Sequence, residues 1–342
     1  MRTSRFARAA TLLAGLCLCA GSATAAPDVL ARVKARGHVV CGVDHTPGFS
    51  GFDDSGRPRG FEVDFCRAIA AAVLGSAERI RTERVNTAAK FKALVDGEID
   101  IAFGMGTWTY TRDTALGVSF VAPTFFDGQG FLAWADSAHA TRNALKGARV
   151  CVQQGTTTAA NLRDHDRRLG LSLKIIESTS SDDRTSRFVR RECDLMTGDR
   201  SELAAQRVAK ALDPTRWRLL DETISREPLG PYVVAGDPRW FALVRWVVLI
   251  PQIAETRGVS ARELADITAR DDGELRRLAG LEKDFGKSLG LDDGWARRIV
   301  EQVGHYGEIF QRHLGAESPF RIERGPNRPV AAGGWLFPPP LR

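Results

Sequence analysis

The sequence predicts an α/β protein built as two lobes. Three observations lead there. Short β-rich runs alternate with helical ones in the first part of the chain, the same alternation restarts at Ala148, and each half carries a Gly/Thr-rich loop at a strand-to-helix turn. Removing the leader described below, residues 1–25, leaves 317 of the 342 residues, enough for two sizeable cores.

In order, residues 39–43 read as a strand and 63–74 as a helix with a wide apolar face. Residues 88–94 read as a second helix, followed by strands at 99–103 and 131–134. The second half begins with a strand at 149–152. The loop from Gln153 to Thr158 opens a helix at 159–162, and strands follow at 173–176 and 193–196. After Pro228-Leu229-Gly230-Pro231 comes a strand at 232–235, then mostly helix to 313. The apolar run 241–250 is short and interrupted by Arg245, so it reads as a buried helix, not a membrane span. Ser260-Ala261-Arg262-Glu263 has the form of a capping box. Trp295, Ile299, Val303, Tyr306 and Phe310 recur at helical spacing and read as core packing, not a cofactor box. The Pro/Gly-rich tail, 325–342, is expected to lie extended over the surface.

The first residues set the compartment. Arg2, Arg5 and Arg8 precede the almost wholly apolar stretch 9–21, and Ala23-Thr24-Ala25 supplies a small-residue cleavage site. This is a secretory leader cut after Ala25. Cys17 and Cys19 each follow a Leu, which argues against a lipid-modified cysteine. Cleavage removes three Arg and no acid, lowering the net charge from +6 to +3. Basic and acidic residues are mixed throughout, with no basic run interleaved with aromatics, so nucleic acid is not an expected partner. Four cysteines remain: Cys41, Cys66, Cys151 and Cys193. They allow three connectivities, and sequence alone does not choose. Their positions favour Cys41–Cys66 and Cys151–Cys193, one staple per lobe in an oxidising compartment; free buried thiols and a metal site are the alternatives. No C-x-x-C spacing supports zinc.

The stretch 99–113 carries most of the functional signal. An apolar strand containing Asp100 runs into Gly104-Met105-Gly106-Thr107-Trp108-Thr109 and reaches Arg112. Glycines allow close backbone approach, Thr107 and Thr109 add hydroxyl donors, and Arg112 offers a planar fork for a carboxylate. The alternative is an ordinary turn whose Arg makes a surface salt bridge. The loop from Gln153 through Thr156 and Thr157 is a second anion-friendly helix start, with plain N-capping as its alternative. Asp199 stands just past a strand end, where an acid facing the other lobe would hold an ammonium; it also suits an N-cap for a helix beginning near Ser201.

Enzyme signatures are scarce. The six histidines show no metal-ligand spacing, and Gly48-Phe49-Ser50-Gly51 lacks the nucleophile-elbow frame. Gly104-Met105-Gly106 begins like a dinucleotide fingerprint but has Thr109 at the third glycine position. No cofactor and no metal are expected, and catalysis is not. His45 beside Asp44 is the one candidate general base in that part of the chain.

Several blocks in one order give the chain a family likeness. They include Val39-Val40-Cys41-Gly42-Val43 with Pro47-Gly48-Phe49-Ser50, Val63-Asp64-Phe65-Cys66-Arg67-Ala68, and Thr107-Trp108-Thr109 with Arg112-Asp113-Thr114. Asp127-Gly128-Gln129-Gly130-Phe131, Cys151-Val152-Gln153 with Gly155-Thr156-Thr157-Thr158, and Glu227-Pro228-Leu229-Gly230-Pro231 follow. Asp284-Phe285-Gly286 with Leu289-Gly290-Leu291-Asp292, and Gly304-His305-Tyr306-Gly307-Glu308, extend the likeness across the mature chain. The chain resembles the periplasmic solute-binding proteins of general L-amino acid ABC transporters, in the polar amino acid binding family.

The resemblance implies a type II periplasmic binding protein fold, α/β, with two α/β lobes joined by a two-strand hinge. Residues 26–133 would form the first part of lobe 1, 134–231 lobe 2, and 232–342 the return to lobe 1 with a C-terminal helical extension and tail. It places Arg112 on an α-carboxylate with help from Thr107 and the loop at Thr156 and Thr157, Asp199 on the α-ammonium, and Asp44 and Phe49 near the ligand side chain. A buried zwitterion needs both charges matched. The partners implied are an L-amino acid and an inner-membrane ABC permease, the protein itself being a monomer in the periplasm. Two departures alter the side-chain pocket: relatives usually carry Arg-Asn-Thr where this chain has Gly104-Met105-Gly106, and an Asn is common at Asp44. The rival readings are a periplasmic lyase on the same scaffold, using His45, Asp44 or Asp199, and a sensor or adaptor with a drifted pocket.

Overall fold

Two five-stranded sheets, each with helices on both faces, organise the chain. The computed structural model describes residues 28–140 and 145–342; the expected leader, with Cys17 and Cys19, lies outside the described residues. The first sheet is fed by α1 (Val29–Arg36), β1 (Val39–Val43), the hairpin β2 (Gly51–Phe52) and β3 (Pro58–Arg59), and α2 (Phe61–Leu74). It continues with β4 (Ile80–Arg84), α3 (Lys90–Val95), β5 (Ile101–Ala102), α4 (Tyr110–Ala115) and β6 (Val118–Phe120). The chain leaves through β7 (Phe125–Asp127) and builds the second sheet from β8 (Gln129–Trp134), β9 (Arg149–Gln153), α5 (Thr157–Leu169) and β10 (Lys174–Ser178). Then come α6 (Ser181–Val189), β11 (Leu195–Asp199), α7 (Arg200–Lys210) and β12 (Trp217–Leu219). It returns through β13 (Glu227–Leu229) to β14 (Tyr232–Val234), α8 (Pro238–Thr256), α9 (Gly273–Leu278), α10 (Trp295–Gln302) and α11 (Tyr306–His313).

The strand orders are β4-β1-β5-β14-β6 and β10-β9-β11-β8-β12. In each sheet the central strand pairs are parallel, and the strands that cross between lobes pair antiparallel. β7 and β13 pair with each other, Glu227 opposite Asp127, and so form the two-strand hinge. Parallel strands with helices on both faces leave their C-terminal ends open as a crevice, where open α/β sheets bind ligands.

Local chemistry explains the frame. Both disulfides form the expected pairs: Cys41–Cys66 ties β1 to α2, and Cys151–Cys193 ties β9 to the turn before β11. α2 starts after Gly60, ends at Gly75 in the left-handed conformation, and buries eleven of its residues. Asp237 serves two helices, accepting the Trp240 amide at the start of α8 and the Val29 amide of α1. Asp100, the acid set into the apolar strand, accepts the Val40 amide and pairs with Arg32 and Arg36, so its buried charge is matched within the lobe. In the second sheet, alternation along β9 sends Val150 and Val152 to one core with Phe131 and Leu195, and Cys151 to the other with Phe188 and Trp217.

Several expectations change in detail. The strand expected at 99–103 shortens to two paired residues. The Ser260–Glu263 box starts only a short 3-10 helix, with the Glu263 carboxylate accepting the Ser260 amide. The aromatic stripe is core, with Trp295, Ile299, Tyr306 and Phe310 buried, but it spans two helices broken at Gly304, whose φ is +101°. The tail does not simply lie extended. It makes two 3-10 turns, and buried Asn327 donates to the Phe126 carbonyl and accepts the Phe126 amide, fastening the tail to the hinge.

Candidate functional site

The cleft between the sheets is lined from the first lobe by Asp44, Thr46, Thr87, Gly104, Met105, Thr107 and Arg112. From the second it is lined by Gln153, Thr156, Thr157, Thr158, Arg184, Asp199 and Glu202. It encloses about 470 Å³ of atom-free space, part of it open to solvent. The lobes touch across it: the Thr107 and Thr157 hydroxyls lie 3.3 Å apart, and at the rim Arg84 pairs with Asp182 at 2.7 Å.

The first-lobe wall is a loop held from two sides. Gly104 and Met105 have positive φ, +82° and +48°, which turns their amides the same way. The buried Glu62 carboxylate at the start of α2 accepts both, from Gly104 at 3.1 Å and Met105 at 2.7 Å. Buried Lys90 of α3 donates to the Gly104 carbonyl at 2.8 Å and the Phe103 carbonyl at 3.3 Å. Burial pushes the Glu62 carboxyl up to about 7, against the pull of those amides and of Lys90. Burial, reinforced by Arg112, pushes Lys90 down to about 8. Gly106 is tightly packed: a Cβ there would sit 3.0 Å from the Gly230 carbonyl oxygen and 3.1 Å from the Tyr232 ring, so its neighbours would have to shift.

Arg112 is 8 % exposed, held by one guanidinium bond to the Thr107 carbonyl at 3.0 Å and by the Phe91 ring beneath it. Tyr232 donates to the same carbonyl at 2.6 Å. Among the described residues no carboxylate pairs with Arg112, so the rest of its fork is available to the cleft. The surface salt bridge offered as the alternative for this arginine is therefore not what the fold makes of it.

Across the cleft, Asp199 ends β11 and occupies the cap position of α7, yet its side chain accepts no capping bond. It is 9 % exposed, and its carboxylate makes no hydrogen bond among the described residues. Burial, then repulsion from Asp127, Glu227 and Glu202, holds its carboxyl well above the usual carboxylate range. Asp127 is itself pushed up to about 6 by burial, although Ser201 and the Gly128 amide donate to it. Glu227 accepts from Asn161 and Ser225 through one oxygen and leaves the other buried without a partner. The hinge side of the cleft thus gathers three buried carboxyl groups, with Arg200 acting on Asp127 and Arg184 on Asp199 but neither in an ion pair with them among the described residues.

Most of the residues singled out in the sequence meet here: Asp44, Thr107, Arg112, Gln153, Thr156, Thr157 and Asp199. Thr156 also does what the capping alternative required, accepting the Ala159 amide at 3.1 Å and donating to the Gln153 carbonyl. Two residues lie elsewhere. Thr109 caps α4, accepting the Arg112 amide at 3.3 Å. Phe49 is 1 % exposed, its ring edge-on to Phe61 and Phe125 in the first-lobe core. His45 packs edge-on against Phe52 and does not line the cleft. Sequence reasoning missed Glu62, Lys90, Arg184 and Glu202. Arg184, almost fully buried, donates to Glu202 at 2.7 Å, to Gln206 and to the Thr197 carbonyl, bracing α6 and α7 beneath β11. The family described as bacterial extracellular solute-binding proteins, family 3, matches residues 39–277.

Relatives extend the match to nearly the whole chain. The general L-amino acid-binding periplasmic protein AapJ of Rhizobium johnstonii is 38 % identical over 95 % of this chain and 96 % of its own. The glutamate/glutamine/aspartate/asparagine-binding protein BztA of Rhodobacter capsulatus is 38 % identical over 100 % of both. Among solved structures, an ABC transporter periplasmic binding protein from Brucella ovis, with glutathione bound, superposes with a TM-score of 0.89 at 36 % identity. It covers 92 % of this chain and 100 % of its own. Two α/β lobes, a two-strand hinge and a polar interlobe cleft are the type II periplasmic binding fold, and the chain belongs to family 3 of the bacterial extracellular solute-binding proteins.

Proposed function

We propose that the protein is a periplasmic receptor that captures an L-amino acid between its lobes and delivers it to an inner-membrane ABC permease. The observation that carries this reading is the pair Arg112 and Asp199: groups of opposite charge on opposite walls of one cleft, each nearly buried and neither in an ion pair among the described residues. A buried unpaired charge is costly, and a zwitterion supplies both missing partners at once. Arg112 takes the α-carboxylate, with the Thr107 hydroxyl and the first turn of α5 at Thr156 and Thr157 as further donors. Asp199 takes the α-ammonium, and Asp44 faces the ligand side chain. Bonds to both walls favour the closed arrangement, so ligand shifts the hinge equilibrium toward the state a permease would recognise. The receptor acts as a secreted monomer after loss of residues 1–25, its lobes joined at β7 and β13; β8 belongs to the second lobe, so the first crossover lies before Gln129 and not at the expected 133. No bond is made or broken.

Thermal unfolding of the mature protein, stripped of ligand by unfolding and refolding, tests this against a panel of single L-amino acids. Ligand at a hundred times its Kd adds about 2.7 kcal/mol. A clear rise in Tm with one class of amino acid is the expected outcome; no rise with any of them contradicts the reading.

A further inference from the structure

The C-terminal tail holds the hinge from its outer edge. The family match ends at residue 277, and the chain beyond it comes back to β7. Arg324 pairs with Glu255 of α8 and donates to the Asn327 carbonyl at 2.6 Å, fixing the turn that presents Asn327. Asn327 is buried and bonds both backbone groups of Phe126, accepting its amide at 2.6 Å and donating to its carbonyl at 3.0 Å. The residue opposite Phe126 in the hinge is Pro228, which has no amide to give. A two-stranded ribbon is marginal alone, so the tail stiffens it as a third partner. Farther on, Leu336 and Leu341 are buried, and the Leu341 backbone bonds to Glu274 and Arg277 of α9. The tail is therefore anchored on both sides of Trp335.

The Trp335 ring is not buried with its neighbours. It is 63 % exposed and lies edge-on to the Phe126 ring at 5.6 Å. With Pro326 and Trp108 it forms one wall of a groove whose other wall includes Arg200, Thr223 and Arg226, on the second-lobe side. The groove encloses about 1200 Å³ of atom-free space, part of it open to solvent. It lies behind the hinge. Thr107 and Asp199 face the ligand cleft, whereas their chain neighbours Trp108 and Arg200 line this groove, and no residue lines both. The lobes touch across the cleft in this structure, through Thr107 and Thr157 and through Arg84 and Asp182. Rotating them apart about β7 and β13 widens the cleft and narrows the groove, bringing its second-lobe wall toward the Trp335 ring.

We propose that the tail sets how far the receptor opens, with Asn327 pinning β7 and Trp335 standing as a stop between the lobes behind the hinge. Both are positioning residues, since neither lines the ligand cleft. The proposal rests on the reading above that the lobes open and close on ligand. The stop removes the widest arrangements of the empty protein, so less conformational freedom is lost when ligand closes it.

Interlobe distances in the full mature protein test this. Spin labels carried on unnatural amino acids at Arg81 of β4 and at Leu212 after α7, both exposed, add no thiol beside the native disulfides. In the ligand-stripped protein, Trp335→Ala should shift the distance distribution to longer values than wild type, and Asn327→Ala should shift it the same way and broaden it. With the L-amino acid that raises Tm most, all three proteins should converge on one short distance. The Trp335 backbone is held independently of its ring, its amide donating to the Pro326 carbonyl at 2.8 Å, so Trp335→Ala decides the matter even if Asn327→Ala does not fold. A Trp335→Ala distribution that matches wild type overturns the proposal, even with a lower Tm, because a merely structural contact would move Tm alone. If no L-amino acid shortens the wild-type distance, the receptor reading fails, and the ligand-free comparison of wild type with Trp335→Ala still decides whether Trp335 is a stop.

Discussion

Replacing Asp199 with Asn should weaken ligand binding and strengthen the empty protein, two changes of opposite sign from one substitution. The carboxylate is 9 % exposed, unpartnered, and repelled by Asp127, Glu227 and Glu202. In the empty protein its charge is a liability, because burial and three neighbouring acids all disfavour the ionised form. A carboxyl whose folded-state pKa lies above its unfolded value contributes stability that is complete below the unfolded value and is lost as pH rises through the folded one. At neutral pH, then, wild-type Asp199 costs stability, and the Asn variant should melt higher. That gap should close as pH falls below the ordinary carboxylate value of 3.8, where wild-type Asp199 is protonated in both states. Binding goes the other way. Truncating one partner of a buried, hydrogen-bonded charge pair costs about 2–5 kcal/mol, so ligand affinity should fall by roughly 30-fold to several thousandfold. The assay is paired: thermal unfolding of stripped wild type and Asp199→Asn across a pH series, and calorimetry with the tightest-binding L-amino acid. A variant that melts lower than wild type at neutral pH while binding ligand normally would refute the reasoning, since Asp199 would then be a structural cap.

Three further outcomes follow from the same structure. Gly106→Ala puts a Cβ 3.0 Å from the Gly230 carbonyl oxygen and against Tyr232; overpacking of this kind costs about 1–3 kcal/mol, to be read as a lower midpoint in urea. Removing either disulfide frees a closed loop, with sequence separations of 25 for Cys41–Cys66 and 42 for Cys151–Cys193. Chain entropy predicts losses of about 3.5 and about 4 kcal/mol, measurable by comparing unfolding of the double-serine variants with wild type. Arg84→Ala removes an interlobe ion pair whose side chains are half exposed; such pairs contribute about 0–1 kcal/mol, so ligand affinity should drop no more than about fivefold, with the difference vanishing at high salt.

The sequence made the periodic elements plain and left the short ones obscure. β1 and β9 are apolar runs bounded by turns, and α2 carries its own left-handed glycine stop, so their signals are local. β4 gave no such signal: Ile80 to Arg84 is a mostly polar strand at the sheet edge, chosen by pairing with β1 and not by burial. The hinge strands β7 and β13 are three residues each and exist through each other. In the site, Thr107, Arg112 and Asp199 were legible because a Gly/Thr loop and a strand-end acid have recognisable chemistry. Arg184 and Glu202 were not, since a charged residue on a short helix reads as a solvated face until the fold buries it against a partner eighteen positions away. Glu62 and Lys90 look like first-turn helix charges in sequence, and only the left-handed Gly104–Met105 turn gives them their task. Phe49 entered through family likeness; its neighbours Phe61 and Phe125 draw the ring into the core.

The central claim is that Arg112 and Asp199 together hold the two α groups of one amino acid. The most direct measurement is calorimetric titration of the stripped protein with the L-amino acid that raises Tm most, and with its methyl ester and its N-acetyl derivative. The ester removes the charge Arg112 needs, and acetylation removes the charge Asp199 needs. The account predicts that each derivative loses at least about 30-fold in affinity, the lower end for truncating a buried charge pair. Either derivative binding as tightly as the parent amino acid would contradict it.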